Sequence, residues 1–290
     1  MTMPWRGTGV EQFPGVPAWG APTSRRPPEP FPVVPLGGID PQWAWGGADG
    51  SGVRVCILDS GVDASHPLVG GVEGAFSIVL DDTGALAVAA VEPADSAGHG
   101  TACAGIIRSI APAAAITSMR VLTDAATGTG HALLTGLDWA INEGFDVINL
   151  SLATTKADYI LALYELADRA YFRRCTLVVS AHNLPVRSFP WPFAAVLSVA
   201  SHDQEDPMLH YYNPAPPVEF LARGVAVPVA WANGKVVRST GNSFASPHIA
   251  GLCALILGKH PWLTPAQLKS VLYLTARNVT DSSGEDHVPA

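Results

Sequence analysis

From Ser239 to Leu257 the chain reads Ser-Thr-Gly-Asn-Ser-Phe-Ala-Ser-Pro-His-Ile-Ala-Gly-Leu-Cys-Ala-Leu-Ile-Leu, a segment too uniformly apolar to be amphipathic. A helix of that composition must be buried on all sides, so the rest of the fold has to be built around it. Ser243 stands at its first turn, just after Gly241. Orphan backbone N–H groups and the positive end of the helix dipole favour developing negative charge there. Ser243 is therefore a candidate nucleophile. Capping the helix is the commoner use of a serine at that position, and other residues must decide between the two.

Enclosing such a helix takes a large core. The chain has 290 residues, 48% hydrophobic and 14% charged, enough for one sizeable domain. Net charge is -8 and the 17 Lys and Arg form no basic run, so neither nucleic acid nor an anionic membrane surface is an expected partner. No apolar run reaches the roughly 18 residues of a spanning helix. The start, Met-Thr-Met-Pro-Trp-Arg-Gly, lacks the apolar core of a signal peptide, so a cytoplasmic protein is expected. Cys56, Cys103, Cys175 and Cys253 each fall inside an apolar run and read as buried free thiols. With neither a C-x-x-C pair nor an H-E-x-x-H helix, no zinc site and no cofactor are expected.

Residues 1–38 are rich in proline and read as an extended or disordered arm. Residues 39–278 read as the folded domain and 279–290 as a polar tail, or as a linker to a further C-terminal domain. Val53 to Leu58 is a short apolar run ending at Asp59-Ser-Gly, as a buried parallel strand feeding a turn should. Further strands are predicted at Ile116–Val121, Val147–Leu152, Thr176–Ala181 and Val196–Ala200, with helices at His131–Glu143 and Ala157–Arg174. That alternation predicts an α/β fold, a doubly wound, mostly parallel sheet with helices on both faces. Val225–Arg238 alternates around Asn233-Gly234, a two-residue hairpin signal. Thr264-Pro-Ala-Gln267 marks the start of a last helix with a capping box.

Asp59 falls at the end of the first strand, where open α/β sheets gather catalytic groups, although a turn-forming Asp is the commoner case. His99 lies between glycines in Asp95-Ser-Ala-Gly-His-Gly-Thr-Ala-Cys-Ala-Gly105; a lone histidine there would most often be a buried hydrogen-bonding residue. An acid, a histidine and a serine, each at the terminus of an element, form a joint pattern that separate explanations account for poorly.

Asp59-Ser-Gly, His99-Gly-Thr and Gly241-Asn-Ser-Phe-Ala-Ser-Pro247 resemble the three signatures of the subtilisin-like serine proteases, the subtilases, over roughly Gly38 to Asn278. The resemblance implies that Ser243 attacks a peptide carbonyl, His99 moves the proton and Asp59 holds the imidazole. It also places an oxyanion donor at Asn183, a substrate-binding strand at Asn149-Leu-Ser151-Leu152-Ala153 and an opposing strand at Gly128-Thr129-Gly130, with a peptide or protein substrate adding between them.

The sequence departs from the family pattern at several points. Asn242 stands where threonine is usual, which keeps a polar side chain near the oxyanion. His182 replaces the usual glycine, and the loop from Asn183 to Phe189 is short. The resemblance places His182 in the wall of the first pocket; with Arg187 turned inward the two would make it basic, with a preference for small or acidic residues, although an exposed loop arginine more often points to solvent. Cys103, one turn after His99, is expected beneath the imidazole. Cys103 to Pro112 offers no Asn or Asp oxygen ligands where many subtilases hold calcium; Asp81-Asp82 reads as a turn. The arm is too short and proline-rich to be a folding pro-domain, so the domain is expected to fold unaided, or the chain is a fragment. The expected function is a serine endopeptidase, read as a dedicated intracellular processing protease. A general degradative protease and a catalytically silent peptide-binding module are the alternatives.

Overall fold

Hydrophobic runs too short for helices carry the centre of this molecule. A computed structural model describes residues 38–122, 128–215 and 217–279. Of the expected arm only Gly38, and of the expected tail only Val279, fall among them; the remainder of both lies outside the described residues.

In chain order the strands are β1 (Arg54–Asp59), β2 (Gly74–Leu80), β3 (Leu86–Ala90), β4 (Ala115–Arg120), β5 (Val147–Leu150), β6 (Thr176–Ser180), β7 (Leu197–His202), β8 (His210–Tyr212), β9 (Phe220–Arg223), β10 (Val227–Trp231) and β11 (Lys235–Ser239). The α-helices are α1 (Pro41–Trp45), α2 (His99–Ile110), α3 (Gly130–Glu143), α4 (Ile160–Phe172), α5 (Asn242–Lys259) and α6 (Pro265–Leu274). Nine strands form one sheet in the order β3-β2-β4-β1-β5-β6-β7-β9-β8. Pairing is parallel from β2 through β9, and antiparallel where β3 and β8 close the two edges. The doubly wound, mostly parallel sheet is thus observed.

Strands covered on both faces read as continuous apolar runs, and β5 and β6 are buried at every residue. Cys56 and Leu58 of β1 join Ile148 and Leu150 of β5 in a core with Leu137 and Ile141 of α3 and Leu163 and Ala167 of α4. Helices α2 and α5 cover the opposite face, with α5 against β5, β6, β7 and β9. Every residue of α5 from Phe244 to Leu257 is buried, as its composition requires.

Helix α2 runs without interruption into the turn at Ala111. Near its end the Arg108 guanidinium donates to four carbonyls: Val69 (3.0 Å), Gly71 (3.2 Å), Pro112 (2.7 Å) and Ala114 (2.9 Å). One side-chain cation thereby ties the loop after β1 to the turn before β4. Arg108→Met is expected to lower Tm by about 5–10 °C, from two to four kcal/mol of orphaned carbonyls, whereas EDTA is expected to leave the Tm of the native chain unchanged. A fall of many degrees in EDTA, restored by calcium, would show a metal doing this work.

Several elements differ from the sequence reading. The β10–β11 loop has three residues, because Trp231 pairs with Lys235; Asn233 and Gly234 do adopt positive φ. The helix expected from Ala157 begins as a 3-10 turn (Ala157–Tyr159) before α4. The β2–β3 hairpin was not anticipated, because its edge strand Leu-Ala-Val-Ala-Ala is half exposed and too small-sided to alternate. Asp81 shapes its turn, accepting from Thr83 N (2.8 Å), Thr83 Oγ1 (2.6 Å) and Ala85 N (3.0 Å). The capping box of α6 forms as read, Thr264 with Gln267.

Candidate active site

Strand β1 delivers Asp59 to the C-terminal edge of the sheet, fully buried. Helix α2 begins at His99, after Gly98 in the left-handed region at φ 86°. A Cβ on Gly100 would lie 2.0 Å from the Gly61 carbonyl oxygen, so glycine is what lets the helix start approach the turn after β1. His99 Nδ1 consequently lies 2.9 Å from both Oδ1 and Oδ2 of Asp59. The carboxylate also accepts from the Ser60 N–H at 2.8 Å. With Nδ1–H donating to Asp59, Nε2 is left as a proton acceptor, the tautomer a general base needs. Burial pushes the His99 pKa down, but the charge and hydrogen bond of Asp59 and the charge of Asp95 outweigh it, and the net shift is upward.

Asp95 was not singled out from the sequence, where an Asp before Ser-Ala-Gly looks like any turn residue. Its Oδ1 accepts from Ser60 Oγ (2.9 Å), Ala97 N (3.1 Å) and Gly98 N (2.8 Å), and its Oδ2 from Thr101 N (2.9 Å) and Thr101 Oγ1 (2.7 Å). This buried carboxylate therefore fastens the residue after Asp59 to the residues on both sides of His99. In kcat/KM the acid limb should report His99 and lie above the ordinary histidine value of about 6.5. Asp95→Asn removes one of the negative charges that favour the imidazolium, so that limb is expected at lower pH, read from a pH–rate profile. An unmoved limb would deny Asp95 this influence.

Ser243 is the second residue of α5. Pro247, four residues on, has no N–H to give the Ser243 carbonyl. That carbonyl accepts instead from Ser151 Oγ at 2.9 Å and, more weakly, from Cys103 Sγ at 3.7 Å. Ser151 is itself held by the buried Asn149 amide (2.9 Å) and by Ser246 (2.9 Å). Cys103 thus lies against Ser243 and Asp59, 3.8 Å from Asp59 Oδ2, and close to the imidazole as the helical spacing suggested. Burial, reinforced by the Asp59 charge, raises its pKa well above the usual thiol range. The ligand atoms of Asp59, His99 and Cys103 lie within 4.8 Å of one another. Nδ1 and both carboxylate oxygens are already engaged with each other, so the three fit an acid–base pair rather than a cation site.

The loop after β6 brings Asn183 to the same place. Its Oδ1 accepts from the Asn242 N–H at 2.8 Å, which leaves Nδ2 free to donate. A Cβ on Gly241 would lie 3.2 Å from Ser243 Oγ and 3.4 Å from Asn183 Nδ2, so both atoms flank one spot. The Asn242 side chain does not reach the oxyanion as expected. It is spent on Ser201 N and Oγ (2.9 Å each) and on the Ala181 and His182 carbonyls (3.2 and 3.3 Å).

A cleft of about 480 Å³ is lined by His99, Ser243, Asn183, Ser151, Leu152, Ala153, His182, Gly128, Thr129 and Gly130, and further by Leu122, Leu133 and Thr154. All the residues singled out from the sequence thus meet here, with Asp59 behind His99, except Arg187. Arg187 is exposed, with its guanidinium 5.3 Å over the Phe189 ring. A two-bond bridge between Thr154 and Phe189 (2.9 Å each) turns the loop so that Arg187 points outward. The two expected strands also differ. β5 stops at Leu150 and Ser151–Ala153 continue as coil, while Gly128-Thr129 is coil leading into α3, with Thr129 as its N-cap.

A profile of the Subtilase family matches residues 50–289. The chain is 30% identical over 251 residues to subtilisin DY of Bacillus licheniformis, covering 81% of this chain and 88% of that protein. It is 30% identical to thermitase of Thermoactinomyces vulgaris, covering 73% and 77%. Against subtilisin E of Bacillus subtilis it is 29% identical and spans 63% of that protein's length. The crystal structure of a cold-adapted subtilisin-like serine proteinase superposes with a TM-score of 0.66 at 27% identity, covering 78% of this chain and 82% of that one. With an acid-paired histidine and a serine on one cleft of a doubly wound sheet, the chain belongs to the subtilase family and is a subtilisin-like serine endopeptidase.

Proposed function

We propose that Ser243, His99 and Asp59 are the nucleophile, general base and orienting acid of this endopeptidase, with Asn183 as oxyanion donor. The observation that carries the assignment is the Asp59–His99 contact, 2.9 Å to each carboxylate oxygen, in a cleft shared with Ser243. Ser243 Oγ forms a bond to the peptide carbonyl carbon as its proton passes to His99 Nε2. The oxyanion is met by Asn183 Nδ2. On collapse the C–N bond breaks and His99 returns the proton to the leaving amine. Water then attacks the acyl-enzyme by the same route. The imidazolium formed along the way is stabilised by Asp59.

The substrate peptide runs extended past Ser151–Ala153 on one side and Gly128–Gly130 on the other. Val121, Leu122, Leu133 and Leu152 make part of the lining apolar. The biological role we propose is a dedicated processing protease of the cell interior. Four buried free cysteines suit a compartment that keeps thiols reduced. No helix among the described residues is long and apolar enough to cross a membrane. A fluorophosphonate probe tests the assignment: it is expected to label the native chain and not Ser243→Ala. A folded native chain that fails to label would make the cleft a holder of peptides. Mapping of new N-termini in cells tests the role, a few cut proteins being expected and widespread cleavage pointing to general degradation.

A further inference from the structure

The wall beside Asn183 suggests what kind of residue this protease cuts after. We propose that His182 is an anion-binding subsite for an acidic side chain on the substrate residue immediately before the scissile bond. The inference rests on the proposed cleavage at Ser243 and asks more of the same cleft.

The lining differs from side to side. The exit of β4 and α3 contribute the apolar side chains Val121, Leu122 and Leu133, whereas the end of β6 and the segments after β5 and β6 contribute the polar Ser151, Thr154, Ser180 and Asn183, with Leu152, Ala153 and Ala181 among them. His182 belongs to this polar half and is half-buried, directly before the residue that flanks Ser243. Among the described lining residues no side chain is a carboxylate, and the titratable ones are His99 and His182. His99 is committed to Asp59. A substrate carboxylate in the polar half therefore meets no like charge on the lining, and the His182 imidazole is the ring N–H donor available to it.

The imidazole is also held so that it can serve. Its Nδ1 lies 3.0 Å from the Leu184 amide nitrogen and 3.2 Å from the Leu184 carbonyl oxygen. The neutral ring accepts from that N–H, and the protonated ring donates to that C=O. Each protonation state thus has a partner within one residue, and Nε2–H is a donor in both. The other groups around it leave the task to the ring. On its own loop Arg187 is turned out over Phe189. Helix α5 presents the Asn242 amide to the His182 carbonyl, and the exit of β5 presents Ser151, neither of them titratable. His99 and its Asp59 are the remaining charged groups of the cleft.

Two peptides identical except for Glu or Gln before the bond, with the cut position confirmed by mass spectrometry, test the subsite on the full chain. The Glu/Gln ratio of kcat/KM cancels the acid limb of His99, which both peptides share. It is expected to be about tenfold, the worth of one charge-assisted hydrogen bond. His182→Gln is expected to bring the ratio to about one, and His182→Lys to keep it high. A ratio near one in the native chain, or a tenfold ratio that survives in His182→Gln, overturns the proposal, as does faster cleavage of an Ala peptide than of the Glu peptide. Kd values of the same peptides for Ser243→Ala, with and without His182→Gln, read the subsite without catalysis. Equal Kd for Glu and Gln would sink the subsite even if cleavage stands. A Glu preference in binding without any cleavage would sink the protease assignment and leave the subsite.

Discussion

Ser243→Ala is expected to cost about six orders of magnitude in kcat, the size known for loss of the nucleophile in subtilisin rather than one calculated for this cleft. The oxygen removed projects into the cleft, whereas the Ser243 carbonyl that Ser151 and Cys103 hold stays in place. Folding should therefore be untouched, with Tm within about 2 °C of native, as small surface changes usually give. A residual rate well above the uncatalysed one should persist, because the oxyanion donor and the binding cleft remain. Active-site titration alongside calorimetry checks both halves. Activity surviving within tenfold of native would mean that another group attacks the carbonyl.

Asn183→Ala is expected to lower kcat by about two to three orders of magnitude with little change in KM, the loss known for an oxyanion-hole asparagine of subtilisin. The reason is that Nδ2 acts on charge that exists only in the transition state. Its orientation comes from Oδ1 accepting the Asn242 N–H at 2.8 Å, so alanine also leaves that amide without its partner. Asn183→Asp separates the two effects. It keeps an acceptor for Asn242 but lacks the donor and sets a negative charge against the oxyanion, so it should be at least as slow as alanine. Recovery of rate in Asn183→Asp, or an effect confined to KM in either variant, would mean that Asn183 holds the loop and does not meet the oxyanion.

Much of this site was legible in the sequence because each principal residue sits at the end of an element with its own signal. Val53–Leu58 announces a strand that must stop at Asp59. The glycines around His99 announce close packing, and the apolar run after Ser243 announces a buried helix. What could not be read were contacts between distant segments. That Asp95 collects donors from both sides of His99 depends on how the turn after β1 meets the start of α2. Whether Arg187 faces the pocket or solvent was open in the sequence, since its loop follows Asn183. The pairing of Thr154 with Phe189, 35 residues apart, goes with the outward choice. Asn242, assigned to the oxyanion from its neighbour's role, is claimed instead by Ser201 on β7. In each case local spacing was correct and long-range geometry chose the partner.

Pro247 has a consequence for how this protein tolerates change. By withholding one amide from the helix, it hands the carbonyl of the attacking residue to side chains from two other elements, Ser151 after β5 and Cys103 on α2. The placement of the nucleophile is thereby a shared property of three stretches of chain that lie far apart in the gene. A substitution at Cys103, sealed from solvent and outside the cleft lining, is therefore expected to reach the reacting centre as a slight displacement, and change in the interior would bear on catalysis by that path.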